Sequence, residues 1–381
     1  MAGFFSRRRN VVLLILLAAI VIALLVFQHS ISAHLRAISV LQRFSNPDSN
    51  SFALRFIRHN VEIGTPQTGD ASFKYRLYKP SGVANPHGIV LLHGVHHLGI
   101  DDPRLVNFAR AVAETGVVVM TPELQDLADY HITSQTVNQI DASAVVLAGQ
   151  LKQSKVGIMG LSFAGSLALL AACNPQYAGR IGFVLAIGSY DDLPRVARFF
   201  ATNTIEDPGG KTISFAAHEY GVLILAYSHL EDFFSAQDVP IAREALRLWL
   251  WEQPDASQKA EQLSPAGRAE WDLILHHRDQ LKQKFLDEIR LHRDEMEPVS
   301  PHGRLQDLKV PVFLLHASGD SVIPASETSW LVRDVPGKDL KAVLISPALI
   351  HVNLSETVTL RQKWDVVHFL AQVLDSVDAL K

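Results

Sequence analysis

The sequence predicts an α/β fold, a mainly parallel sheet of eight strands with helices on both faces, and three observations carry that prediction. Eight short apolar runs, many of them β-branched, are separated by stretches with helical periodicity. Residues that start or stop helices stand where those runs give way. A single interval of about 120 residues interrupts the alternation, too long for an ordinary connection and helical in pattern, so it reads as an insertion into the sheet.

The N-terminal end comes first. Residues 1–10 form a basic tail with Arg7, Arg8 and Arg9, and residues 11–27 are an unbroken run of 17 apolar residues. As a helix the run would be roughly 26 Å long, enough to cross a bilayer core. The basic cluster before it predicts a signal anchor, with the N-terminus cytoplasmic and the remaining chain outside, periplasmic in a bacterium. A cleavable signal peptide cut before Ala33 is the rival reading. Residues 28–52 are more polar and contain Asn46, Pro47, Asp48 and Asn50, which suits a stalk.

The soluble domain is expected to begin near residue 53, and its strand-like runs are VEIGT near 61, FKYRLY near 73, GIVLLHG near 88, VVVMTPEL near 117, VGIMG near 156, FVLAIGS near 183, VPVFLLHASGD near 310 and KAVLIS near 341. Asp102 followed by Pro103 reads as an N-cap with proline in the first turn, and Gly116 closes that helix. A second helix follows Ser162, its small residues allowing close approach to the sheet, and Asn174-Pro175 stops it. These assignments give a core of residues 53–193 and 308–381 around an insertion of residues 194–307.

Within the insertion, Ile241 to Trp251 and Ala269 to His292 read as two amphipathic helices, the second with Trp271, Ile274, Leu281, Phe285 and Ile289 on one face. Such an insertion is either a packed decoration or a cap over a pocket. Trp249 and Trp251 are its candidate lining residues.

Charge and cysteine content exclude several functions. With 35 Lys+Arg against 39 Asp+Glu the net charge is −4, which gives no reason to expect nucleic acid as a partner. The single cysteine, Cys173, rules out an internal disulfide framework and a CxxC motif; among Leu and Ala it reads as a packing residue.

The chemistry centres on GLSFAG, residues 160–165. A serine hydroxyl becomes a nucleophile when a tight turn exposes it, a base takes its proton and donors meet the oxyanion. Ser162 stands on such a strand-to-helix turn, with Gly160 before it and Ala164 after it. Asp320 closes the run VPVFLLHASGD, and His351 follows KAVLIS, so all three fall at the sheet edge where ligands collect. The order Ser162, Asp320, His351 supplies nucleophile, orienting carboxylate and base. His316, inside a strand, and His368, inside a helical pattern, suit the base role less well than a loop histidine. After LLHG, the amides of Val95 and Phe163 are the candidate oxyanion donors. His93, His96 and His97, with Asp101 and Asp102 nearby, invite a metal reading; no second distant cluster converges on them, so the loop is read as shaping the pocket, with neither metal nor cofactor expected.

Taken together, LLHG, GLSFAG, HASGDSVIP and the terminal histidine loop resemble the α/β-hydrolase superfamily over residues 53–381, in the family's order. The HG strand end is similar to esterases and dienelactone-hydrolase-like members, and the insertion after the sixth strand is similar to the family's cap domains. Two departures are evident: Ala164 stands where the GxSxG pattern has its last glycine, and Val95 follows Gly94 where some lipases and esterases have another glycine. The resemblance implies a serine hydrolase acting on a carboxylic ester or other acyl substrate through an acyl-enzyme on Ser162. Acyl transfer, peptide cleavage and lactone opening use the same residues, and a silent ligand-binding module is the reading from another class. Asn353-Leu354-Ser355 is a glycosylation sequon two residues past His351, where a glycan would obstruct the site; this favours a compartment without that modification.

Overall fold

Eight strands form one sheet in a computed structural model that describes residues 27–49, 55, 57–69, 72–176, 178–350, 353–354 and 358–380. They are β1 (Val61–Ile63), β2 (Tyr75–Pro80), β3 (Gly88–Leu92), β4 (Val118–Pro122), β5 (Val156–Leu161), β6 (Ile181–Ile187), β9 (Val312–Ala317) and β10 (Leu340–Ser346). The spatial order is β1-β2-β4-β3-β5-β6-β9-β10. The β1/β2 and β2/β4 pairs are antiparallel, and every other pair is parallel. All eight strand-like runs of the sequence are therefore strands. Buried side chains along the whole of β3, β4 and β9 explain why those runs are continuous rather than alternating.

Helices cover both faces. On one lie α1 (27–45), α2 (Pro103–Ala113) and, at the other end of the chain, α14 (Leu360–Asp378). On the other lie α4 (Ser134–Leu151) and α5 (Phe163–Cys173), preceded by the short α3 (Gln125–Ala128). The last helix before β10 is α13 (Ser326–Asp334). Asp102 caps α2 as predicted, its Oδ1 accepting the Arg104 N–H at 2.8 Å.

The segment expected as a stalk behaves differently. Over 27–45 it is an α-helix seated on the domain, with Ala33, Ala37 and Val40 buried against the α2/α14 layer. Arg43 Nε donates to Glu114 Oε2 at 2.9 Å, Arg36 pairs with Asp378, and the Phe44 and Phe108 rings meet edge to face at 5.3 Å. Its polar composition belongs to the outer face; the buried face follows the helical steps 33, 37, 40 and 44. Residues 11–26 lie outside the described residues, and among the described residues no helix is long and apolar enough to cross a membrane.

The insertion between β6 and β9 is mostly helical. It contains α6 (Leu193–Thr202), a hairpin of β7 (Thr204–Glu206) and β8 (Thr212–Ser214), α7 (Tyr220–Ser228), α8 (Val239–Leu250), α9 (Ala256–Ala260), α10 (Pro265–His276), α11 (Lys282–Leu291) and α12 (Arg293–Met296). The single helix expected over Ala269 to His292 is two, α10 and α11, parted at His277. Neither glycine nor proline marks that break. The polar run His276-His277-Arg278-Asp279 offers nothing to bury, so the chain turns there while Trp271 and Ile274 before it, and Phe285 and Ile289 after it, all reach the same core.

Candidate active site

β5 runs into α5 through a turn of one residue. That residue, Ser162, has φ 55° and ψ −129°, a conformation that a side chain adopts only when its surroundings enforce it. The enforcing contacts are visible. The Ser162 N–H donates to Ile187 O at 2.7 Å, and the Ser189 hydroxyl donates to Ser162 O at 3.0 Å. A Cβ on Gly160 would lie 2.5 Å from the Gly165 Cα and 2.8 Å from the Ala164 carbonyl carbon, so strand and helix touch backbone to backbone. The glycine met across this turn is thus Gly165, one place beyond the expected position, and Ala164 is accommodated in the core.

The loop after β3 runs alongside. A Cβ on Gly94 would stand 3.3 Å from the Ser162 Cβ and 3.9 Å from its Oγ, so glycine lets the main chain pass beside the hydroxyl. Val95 follows and lines the same cavity. Phe163 is the first residue of α5, where amides lack intrahelical acceptors and the helix dipole favours negative charge. Both expected donors are thus carried by backbone next to Ser162.

His93 was not singled out for the role that it plays. It is 3% exposed; its Nε2 accepts the Leu124 N–H at 2.9 Å, which assigns the ring proton to Nδ1, and Nδ1 donates to Gly94 O at 2.8 Å. Burial pushes its pKa down to about 4. The ring is a neutral brace on the peptide between Gly94 and Val95. His96 faces Asp102 at 3.8 Å, and His97 stacks on Trp251 with centroids 5.4 Å apart.

Asp320 lies just past β9 and is 2% exposed. Its Oδ1 accepts the Val322 and Ile323 N–H groups at 2.8 and 3.0 Å, which fixes the carboxylate, and Oδ2 lies 3.6 Å from His316 Nε2. His316 itself is committed elsewhere, to Thr328 Oγ1 at 2.6 Å and Ile323 O at 2.8 Å. His368 pairs with His34 on α1 at 3.0 Å. His351, the expected base, lies outside the described residues. Its neighbours in the chain, β11 (Leu349–Ile350) and β12 (Asn353–Leu354), pair antiparallel, and Leu349 lines the cavity that holds Ser162.

That cavity has a volume of ≈ 660 Å³, within the roughly 300–1,000 Å³ usual for small-molecule sites. One wall comes from the α1/α2/α14 layer: Leu41, Phe44, Leu105, Phe108, Val366 and Leu370. The insertion supplies the other, with Trp249 among apolar residues and His218, Glu219, Glu252 and Gln253 among polar ones. Trp251 instead packs on His97. The α1 wall was hidden because its residues sit in a segment whose composition reads as a linker. His218 was hidden by the insertion, although its N–H bonds Ser321 O beside Asp320 at 2.8 Å.

No family model and no curated relative matches the chain. Solved structures do. A protein of Legionella pneumophila, described provisionally as a hydrolase, is similar at 11% identity with a TM-score of 0.51 over 90% of this chain and 94% of its own. An esterase of Pyrobaculum calidifontis is similar at 15% identity, TM-score 0.48, over 93% and 92%. A protein of Bacteroides ovatus described provisionally as a dipeptidyl aminopeptidase IV is similar at 12% identity, TM-score 0.48, over 85% of this chain; the chain spans only 36% of that longer protein. With the eight-stranded sheet and the strained serine between β5 and α5, the chain has the α/β-hydrolase fold.

Proposed function

We propose that the protein is a serine hydrolase that cleaves carboxylic esters through an acyl-enzyme on Ser162, held at a membrane by residues 11–27. The observation that carries this reading is the strained φ of Ser162, with the Gly94 backbone against its side chain and the first amide of α5 beside it. In the reaction, Ser162 Oγ bonds to the ester carbonyl carbon while His351 takes the hydroxyl proton and Asp320 orients the imidazole. The Val95 and Phe163 amides meet the oxyanion. The alcohol departs with the proton from His351. Water then attacks the acyl-enzyme, gives a proton to His351 and frees the acid, and the proton returns to Ser162.

The two unlike walls of the cavity favour an ester with a long apolar acyl group and a polar alcohol. The acyl chain would lie along Leu41, Phe44, Phe108 and Leu370, and the alcohol would face His218, Glu219 and Glu252. An address at a lipid surface suits such a substrate. Phe27, the last residue of the apolar run, and Ile31 and Leu35, which follow it at four-residue steps on α1, are exposed, which supports that address.

A series of p-nitrophenyl esters from acetyl to hexadecanoyl tests the reading. Turnover is expected with kcat/KM rising with chain length, by up to about fourfold per fully buried methylene. No turnover of any ester, with saturable ligand binding retained, would instead indicate a silent binding module.

A further inference from the structure

Outside the lining of the Ser162 cavity, the insertion gathers two histidines and three carboxylates. His229 ends α7, Asp232 stands in the turn that follows, Glu288 is on α11, and His292 comes directly after that helix. The two imidazoles lie face to face, with centroids 3.4 Å apart and planes 12° from parallel. On one edge, Glu295 bridges the pair: Oε2 lies 3.3 Å from His229 Nε2 and Oε1 lies 3.1 Å from His292 Nδ1. On the other edge, His292 Nε2 is 2.9 Å from both Asp232 Oδ2 and Glu288 Oε1, and His229 Nδ1 is 3.6 Å from the same Glu288 oxygen.

This arrangement has a deficit of protons. One ring nitrogen carries at most one hydrogen, and the hydrogen-bond geometry directs that of His292 Nε2 to Asp232. Glu288, 5% exposed, is therefore left with a buried Oε1 that accepts no hydrogen bond, and His229 Nδ1 is a second buried atom without one. An unsatisfied buried carboxylate is costly.

From this geometry we propose that Asp232, Glu288 and His292, with His229 beside them, bind a divalent transition ion of the zinc type. The three ligand atoms lie within 4.8 Å of one another, the reach of one ion at roughly 2.0–2.2 Å from each. Mixed imidazole and carboxylate donors select zinc-type ions over calcium or magnesium, which take oxygen ligands. Glu295, on the far edge of both rings, orients them as an outer carboxylate does in zinc sites. The ion ties the end of α7 to the end of α11, across about 60 residues of chain. Because Tyr220 at the opposite end of α7 lines the catalytic cavity, the ion braces the cap over the site. The assignment does not rest on the proposed esterase activity.

The test is calorimetric titration of the chelator-stripped full chain with zinc chloride alone, together with thermal unfolding. The expected result is one tight zinc per chain, a Tm that rises with zinc, and at least a tenfold loss of affinity in Glu288→Gln. Asp232→Asn, at the solvent rim of the cluster, is expected to weaken binding likewise and decides the matter if Glu288→Gln does not fold. Absence of saturable binding at one ion per chain, or wild-type affinity in the folded variants, overturns the proposal.

Discussion

The imidazole of His93 holds the carbonyl of Gly94 at 2.8 Å, and that carbonyl shares its peptide unit with the Val95 N–H. A buried ring therefore fixes the direction of a backbone donor that the proposed reaction needs. Stabilisation of an oxyanion acts on the transition state rather than on the bound ester. His93→Ala should accordingly lower kcat on the order of 10²-fold with KM little changed. Steady-state ester kinetics check this; a loss confined to KM would remove His93 from that role.

The same ring makes stability depend on pH. Its folded pKa of about 4 lies below the ordinary 6.5 because burial disfavours the imidazolium. Between those values the unfolded chain holds a proton that the folded chain lacks. The contribution is full above pH 6.5 and is lost as pH falls toward 4, on the order of 3 kcal/mol. Urea unfolding across this range should show a steeper loss in wild type than in His93→Asn, which cannot titrate. Parallel slopes would assign the acid sensitivity elsewhere.

The backbone contact at the serine turn admits no side chain. Gly160→Ala places its Cβ 2.5 Å from the Gly165 Cα and should cost about 1–3 kcal/mol, read as a lower urea midpoint. Gly94→Ala meets Ser162 at a milder 3.3 Å and should reduce turnover more than stability.

The insertion is pinned to the core through Glu327. Its carboxylate accepts the Asp191 and Asp192 N–H groups at 3.0 and 3.1 Å and pairs with Arg195 at 2.6 Å, all at the start of α6. Breaking this buried pair by Glu327→Leu should cost about 3–5 kcal/mol. Glu327→Gln, which keeps a side-chain oxygen to accept the two N–H groups, should cost less, because Arg195 retains its second partner Asp191 at 2.8 Å. Denaturation of both variants measures the difference.

Leu41→Trp narrows the α1 side of the cavity. The ratio of kcat/KM for a dodecanoyl over a butanoyl ester should fall about tenfold or more, as several methylenes lose their place. An unchanged ratio would put the acyl chain elsewhere.

Sheet and elbow were legible because their signals are local. Predominantly apolar runs mark β3, β5 and β9, and Gly160 with Ser162 marks a tight turn. The contribution of α1 was not, since Ala33, Ala37 and Val40 are weak apolar signals among polar neighbours, and only tertiary contact with α2 and α14 shows what they bury. The β7/β8 hairpin was missed for a similar reason: its strands are three residues each, although Asp207-Pro208-Gly209-Gly210 between them is a strong turn signal. The zinc-type cluster joins residues some 60 positions apart, a proximity that no spacing rule reveals.

Reaction of the full chain with a fluorophosphonate probe, followed by mass-spectrometric mapping of the adduct, tests the central claim most directly. The account predicts a single adduct on Ser162, its absence in Ser162→Ala, and loss of ester turnover in that variant on the order of 10⁴-fold or more. An unlabelled wild-type chain, or equal labelling of Ser162→Ala, would contradict it.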